Sequence, residues 1–167
     1  MRHWIGIVSV IGAALLVAAG SAGAAPPDHF TEADSYTGNA SCGSFTNFWS
    51  GSFTVNGKTM FDRNGNPVMD VVHQSGSELN WRSGNTDSYT VYFDYNIVYD
   101  YATDTTSLNG KVIKVTYPGL GLLFHDVGKI VFGPGGAVVA IHGPHDSFEQ
   151  GQEAYCNAFL AIASGKK

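Results

Sequence analysis

Residues 89–101 read YTVYFDYNIVYDY, and every odd position from Tyr89 to Tyr101 is apolar or aromatic: Tyr89, Val91, Phe93, Tyr95, Ile97, Tyr99 and Tyr101. The even positions hold Thr90, Tyr92, Asp94, Asn96, Val98 and Asp100. Successive side chains in a strand point to opposite faces, so this alternation describes a strand with one face inward and one in water. Thirteen residues at ~3.3 Å each span about 43 Å. That is long for a strand in a small domain, and it predicts a bulge, a strong coil or a break near Asp94–Asn96.

Outward from this run the chain keeps the same character, with short β-branched and aromatic runs between glycine, asparagine and aspartate turns. Phe53-Thr54-Val55 and Lys58-Thr59-Met60 flank Asn56-Gly57, the pair favoured in a type I′ hairpin turn because both central residues need positive φ. Residues 62–67 form a second turn. Val68 to His73, and Leu79-Asn80-Trp81 after another glycine break, then read as strands, and residues 82–87 as a turn. Asn109-Gly110 predicts a further turn before Val112 to Tyr117. The segment PGLGLLFHDVGKIVFGPGGAVVAIHGPH, residues 118–145, packs apolar runs between glycine-rich turns and predicts strands at 120–124, 129–132 and 137–141. Tyr155, Phe159 and Ile162 fall at helical spacing within residues 150–163, which predicts a C-terminal helix. The expected fold class is all-β: a single antiparallel β-barrel of about eight strands with a short C-terminal helix, the alternative being a β-sandwich. The long one-faced strand favours the barrel, where tilt and curvature accommodate length.

The N-terminus reads differently. Arg2, the apolar stretch from Ile5 to Ala19, and Ala22-Gly23-Ala24 form the three parts of a secretory signal peptide over residues 1–24, cleaved near Ala24. Residues 25–41, with Pro26, Pro27 and Gly38, are expected to be a flexible N-terminal arm, and residues 42–164 the barrel domain with its helix. The expected localisation is therefore secreted. Cys42 and Cys156 read as one disulfide in an oxidising compartment, pinning the helix to the start of the sheet. The other reading is two free thiols, one of them nucleophilic. Neither has a histidine close in sequence to serve as its base, while nearness in the fold stays open.

Without the leader, eight basic residues face fourteen acidic ones. That balance opposes phosphate binding through counterion release, so nucleic acid is excluded as a partner. No later segment is apolar for long enough to span a bilayer.

Three groups of residues bear on chemistry. Tyr89, Phe93, Tyr95, Tyr99 and Tyr101 share a face, and in a barrel lumen they would hold a small apolar or aromatic molecule, or simply fill the space. His125, His142 and His145, with Asp126 and Asp146, carry metal-ligand chemistry, but a Gly-Pro turn does not fix imidazole rings, so no metal or other cofactor is expected. If a turn begins at Asp126, its carboxylate accepts backbone N–H groups of Val127–Gly128. Asp70, His73 and Glu78, or the pair His125–Asp126, are the candidates for acid–base work.

The mature chain resembles a family of small secreted actinobacterial β-proteins. The resemblance rests on Cys42 at the domain start, Pro118-Gly119-x-Gly121, Asp126-x-Gly128-x-Ile130-x-Phe132, the Gly-Gly turn at 135–136, Gly143-Pro144-His145 and Cys156-Asn157-Ala158. It implies no activity. A looser likeness, of architecture alone, is to allene-oxide-cyclase-like and dirigent-like barrels, which bind or cyclise hydrophobic molecules. The expectation is a secreted β-barrel binding a small apolar or aromatic ligand, leaning away from catalysis. A cyclase- or isomerase-like enzyme and an envelope-associated interaction module are the alternatives.

Overall fold

The fold is that of a computed structural model, which describes residues 25–84 and 87–165. The expected leader at 1–24 lies outside the described residues. Seven strands follow one another in the chain and in space: β1 (Asp28–Ser41), β2 (Thr46–Phe61), β3 (Pro67–Arg82), β4 (Ser88–Asp100), β5 (Thr105–Tyr117), β6 (Gly121–Phe132) and β7 (Val138–His142). Each pairs antiparallel with the next. Two helices, α1 (Asp146–Gln150) and α2 (Gln152–Ser164), end the chain.

This is an all-β antiparallel sheet with a short C-terminal helical segment, in one sheet rather than the two of a sandwich. It has seven strands where about eight were expected, because several predicted pieces fuse. Its outer strands β1 and β7 do not pair with each other, so the sheet is not closed. β7 is too short to close it: it has five residues and meets β6 only over Lys129–Phe132 before the chain turns into α1.

Three predicted turns are absent, for one physical reason. Asn56-Gly57 lies inside β2, Gly76 inside β3 and Asn109-Gly110 inside β5. Their glycines are used for packing, not for turning. Each faces an aromatic residue directly across the ladder: Phe30 opposite Gly57, Phe93 opposite Gly76, Tyr95 opposite Gly110. The same pattern joins Trp49 to Gly38 and Tyr36 to Gly51. Gly128 likewise sits within β6, so the strands expected at 120–124 and 129–132 are one. Residues 28–41, read as part of a flexible arm, form β1, paired along its length with β2. The turns expected at 62–67 and 82–87 do separate strands, and the irregularity expected in the long strand is a register shift between Tyr92 and Asp94.

Residues opposite one another across a ladder share a face. Tyr36, Gly51, Glu78, Val91 and Val115 therefore lie in one row across β1 to β5 on a single face. Helix α2 packs on that face at the end carrying Tyr89, Val91, Val115 and Phe124, and presents Ala154, Ala158 and Phe159 to them. Phe159 is fully buried, its ring 4.7 Å from that of Tyr89 and 5.7 Å from that of Phe45. Two alanines let the helix approach closely, and the one large ring fills the contact. The Cys42–Cys156 disulfide joins α2 to the β1–β2 connection across 114 residues of chain. No helix among the described residues is long and apolar enough to cross a membrane.

Candidate functional site

The row through Tyr36, Gly51 and Glu78 builds the site. Gly51 has no side chain, and a Cβ placed there would stand 2.6 Å from Cζ and 2.7 Å from the hydroxyl oxygen of Tyr36. The hydroxyl end of the Tyr36 ring therefore lies over Gly51, reaching from β1 across β2 toward Glu78 of β3, with which it shares a cavity. Burial and the Glu78 carboxylate together hold the Tyr36 phenol above its ordinary range.

Glu78 also accepts a hydrogen bond from Nδ2 of Asn80 at 2.7 Å. Asn80, fully buried, accepts in turn from Nδ2 of Asn47 at 3.0 Å. These three lie on the inner face at the end of the sheet covered by α2. The helix adds Tyr155, whose phenol is raised first by burial and then by the Glu78 charge. Tyr155 in turn contacts Ser147, whose backbone N–H donates to Asp126 at 2.9 Å and whose hydroxyl donates to the same carboxylate.

Above these groups the face is hollow. A cavity of about 290 Å³ is walled by Tyr36, Phe53, Phe93 and Tyr95, with Glu78 and Tyr155 among its polar groups. A second, of about 240 Å³, is lined by Asn47, Trp49, Glu78, Asn80, Gln152 and Tyr155. Glu78 and Tyr155 belong to both. The first cavity also touches Ile113 of β5. Four strand spacings separate β1 from β5, roughly 19 Å in a flat sheet. Residues of both line one small cavity, so the sheet curls about this face.

The tyrosine face of β4 divides three ways. Tyr89 is buried beneath Phe159, donates its hydroxyl to the Tyr155 carbonyl at 3.1 Å, and belongs to the core. Phe93 and Tyr95 line the cavity. Tyr99 and Tyr101 meet edge to face 4.7 Å apart at the far end of the strand, where their hydroxyls donate to Asp104 and Asp70 at 2.7 and 2.8 Å. Tyr101 lies beyond the last residue of β4 and is exposed.

Asp70, His73 and Glu78 do not come together. Asp70 and Glu78 share the inner face eight residues apart, while His73 is on the outer face with Nε2 3.9 Å from Asp94. The histidines of the 118–145 segment also point to separate partners. His125 Nδ1 is 3.4 Å from Asp146, and His142 ends β7 and offers its carbonyl to Nε2 of the buried His145 at 3.3 Å. No cluster of three or more His, Cys, Asp or Glu among the described residues is arranged to hold a metal. Asp126 does not bond Val127–Gly128, because β6 runs straight through those residues. It is buried, and its carboxylate instead holds the first turn of α1 through Ser147.

Sequence reasoning missed Tyr36, Asn47, Trp49, Asn80 and Tyr155. The available signal was Tyr36-Thr37-Gly38 facing Trp49-Ser50-Gly51, a ring–glycine alternation repeated in two neighbouring segments. Compared with known proteins, the chain matches no family model, no curated protein and no solved structure.

Proposed function

We propose that the protein is an exported binding protein that holds a small molecule with an apolar or aromatic body in the hollow face of its sheet. The single observation that carries this reading is the pair of adjoining cavities whose shared groups are Glu78 and Tyr155. Ligand sites are concave, mostly apolar in their walls, and carry a few fixed polar groups that orient the guest. Phe53, Phe93, Val91 and Ile113 supply such walls, and the Asn47–Asn80–Glu78 chain supplies the fixed polar groups. The disulfide fits work outside the reducing cytosol. On this reading the curled sheet acts as a barrel left open between β1 and β7, with α2 as the floor of the cup.

Binding has more support than turnover. Tyr36, Tyr89 and Tyr155 are all held protonated by burial and by Glu78, which suits them to donate hydrogen bonds rather than to abstract protons. The test is to incubate the folded protein with a cell-envelope and metabolite extract and analyse retained and transformed species by mass spectrometry. The expected result is retention of a small molecule by the wild-type protein and its loss in Ile113→Trp, which fills the cavity. A transformed product would replace the binding reading with an enzymatic one. Equal retention by both proteins would place binding elsewhere.

A further inference from the structure

We propose that the ligand of this cavity is an organic ammonium cation, an amine carried on an apolar or aromatic body. This rests on the reading of the cavity as a ligand site and names what that site selects.

The hydrogen-bond chain runs in one direction. An ionised carboxylate only accepts, so Asn80 must turn its NH₂ to Glu78 and its Oδ1 back to the Asn47 NH₂. The atom left over is Oδ1 of Asn47, an acceptor in a residue 1% exposed, and it has no hydrogen-bond partner. Buried acceptors without partners are costly and uncommon. Asn47 lines the same cavity as Glu78. The polar floor is therefore rich in acceptors, and the complementary guest is a donor.

Charge points the same way. None of the ion pairs found among the described residues includes Glu78. Arg82, four residues along the strand and opposite Asn47, holds Asp87 at 2.8 Å through one terminal guanidinium nitrogen, while its buried Nε has no hydrogen-bond partner; it is not among the residues lining the two cavities. The whole chain carries a formal charge of −5, which favours the approach of a cation. An anionic guest would meet the Glu78 carboxylate, and a neutral apolar one would leave Asn47 unpaired.

The walls are rich in aromatic rings. Tyr36, Trp49, Phe93, Tyr95 and Tyr155 line the two cavities. The negative faces of aromatic rings attract ammonium groups, most strongly where water is excluded.

The experiment titrates three compounds of one shape and different charge into the intact folded protein, followed by amide-resolved NMR: phenethylamine, phenethyl alcohol and hydrocinnamate. The expected result is that phenethylamine binds about tenfold or more tighter than the alcohol, as a charge-assisted hydrogen bond provides. The amides of Glu78, Asn80 and Tyr155 should shift, and hydrocinnamate should bind weakest. Glu78→Gln should bring the amine down to the level of the alcohol, and the unliganded spectrum of the variant reports whether it is folded. Equal binding of amine and alcohol at the cavity would overturn the cation assignment while leaving the ligand site standing. Tightest binding of hydrocinnamate would overturn it as well. Failure of all three to shift cavity amides would overturn both readings.

Discussion

Tyr36 and Glu78 lie on strands separated by a third, and the hydroxyl end of the Tyr36 ring stands over Gly51, the residue between them. Direct neighbours in a ladder are close enough to touch, but residues two strands apart are roughly 10 Å apart and do not meet unless the residue between them is absent. Gly51 provides that absence. In Gly51→Ala the new methyl group displaces the Tyr36 ring, which supplies the three atoms nearest to it. The Tyr36 hydroxyl should then separate from Glu78, and its pKa should fall toward the ordinary phenol value of about 10. NMR titration of ring-labelled tyrosine measures this directly, and an unchanged Tyr36 titration would contradict the geometry.

Gly76 makes the same kind of pair with Phe93, with a different penalty. A Cβ there would stand 2.6 Å from the Phe93 ring and would also strike the backbone carbonyl of Ser52. A ring can swing aside, while a backbone inside a paired ladder cannot move freely. Gly76→Ala should therefore destabilise the fold by about 1–3 kcal/mol, the usual range for overpacking. In Gly57→Ala the atoms nearest the new methyl group are the far end of the Phe30 ring on the edge strand, so it should cost distinctly less. Urea denaturation of the two variants side by side decides this, and equal midpoints would sink it.

The disulfide closes a loop of 114 residues between the start of the sheet and α2. On the chain-entropy account, removing it from the unfolded state's constraints costs about 4–5 kcal/mol. The Cys42→Ala/Cys156→Ala variant should lose stability on that scale. Because α2 forms part of the cavity wall through Tyr155 and Gln152, it should also lose ligand retention at temperatures where the sheet is still paired. Circular dichroism melting alongside the retention assay tests both parts.

Alkaline pH acts through the tyrosines. Burial first, and the Glu78 charge after it, raise the phenols of Tyr36 and Tyr155, and burial does the same for Tyr89. In the unfolded chain these groups ionise near pH 10, while the folded protein keeps their protons above that point. Their stabilising contribution is thus fully present below about pH 10 and is lost as pH rises through the folded values. The urea midpoint should hold level up to about pH 9.5 and fall steeply beyond it, with a shallower fall in Tyr155→Phe. A midpoint that stayed flat well above pH 10 would show that these phenols are not buried as described.

Particular residues show why some of this architecture was legible in the sequence. The alternation from Tyr89 to Tyr101 marks β4 because a strand's period is two whatever surrounds it, and the Tyr155–Phe159–Ile162 spacing marks α2 in the same way. Asn56-Gly57 and Asn109-Gly110 misled because local turn preference gave way to strand pairing, in which Gly57 lies beneath the Phe30 ring and Gly110 packs closely against the backbone of Asp94 and Tyr95. Glu78 stood among the acid–base candidates, but its partners did not. Tyr36, Asn47 and Tyr155 reach it only through curvature that brings β1, β2 and α2 together. Such convergence depends on register, and register is a property of the pairing rather than of any one segment. The histidines of residues 118–145 were conspicuous by type, but among the described residues they do not gather into one cluster.

The most direct measurement is a crystal structure of the intact protein grown with phenethylamine. The expected result is the phenyl ring among Phe53, Phe93 and Tyr95, with the ammonium nitrogen within hydrogen-bond distance of Glu78 and close to Asn47. A cavity filled by its own side chains, or an amine bound only away from Glu78, would contradict the account.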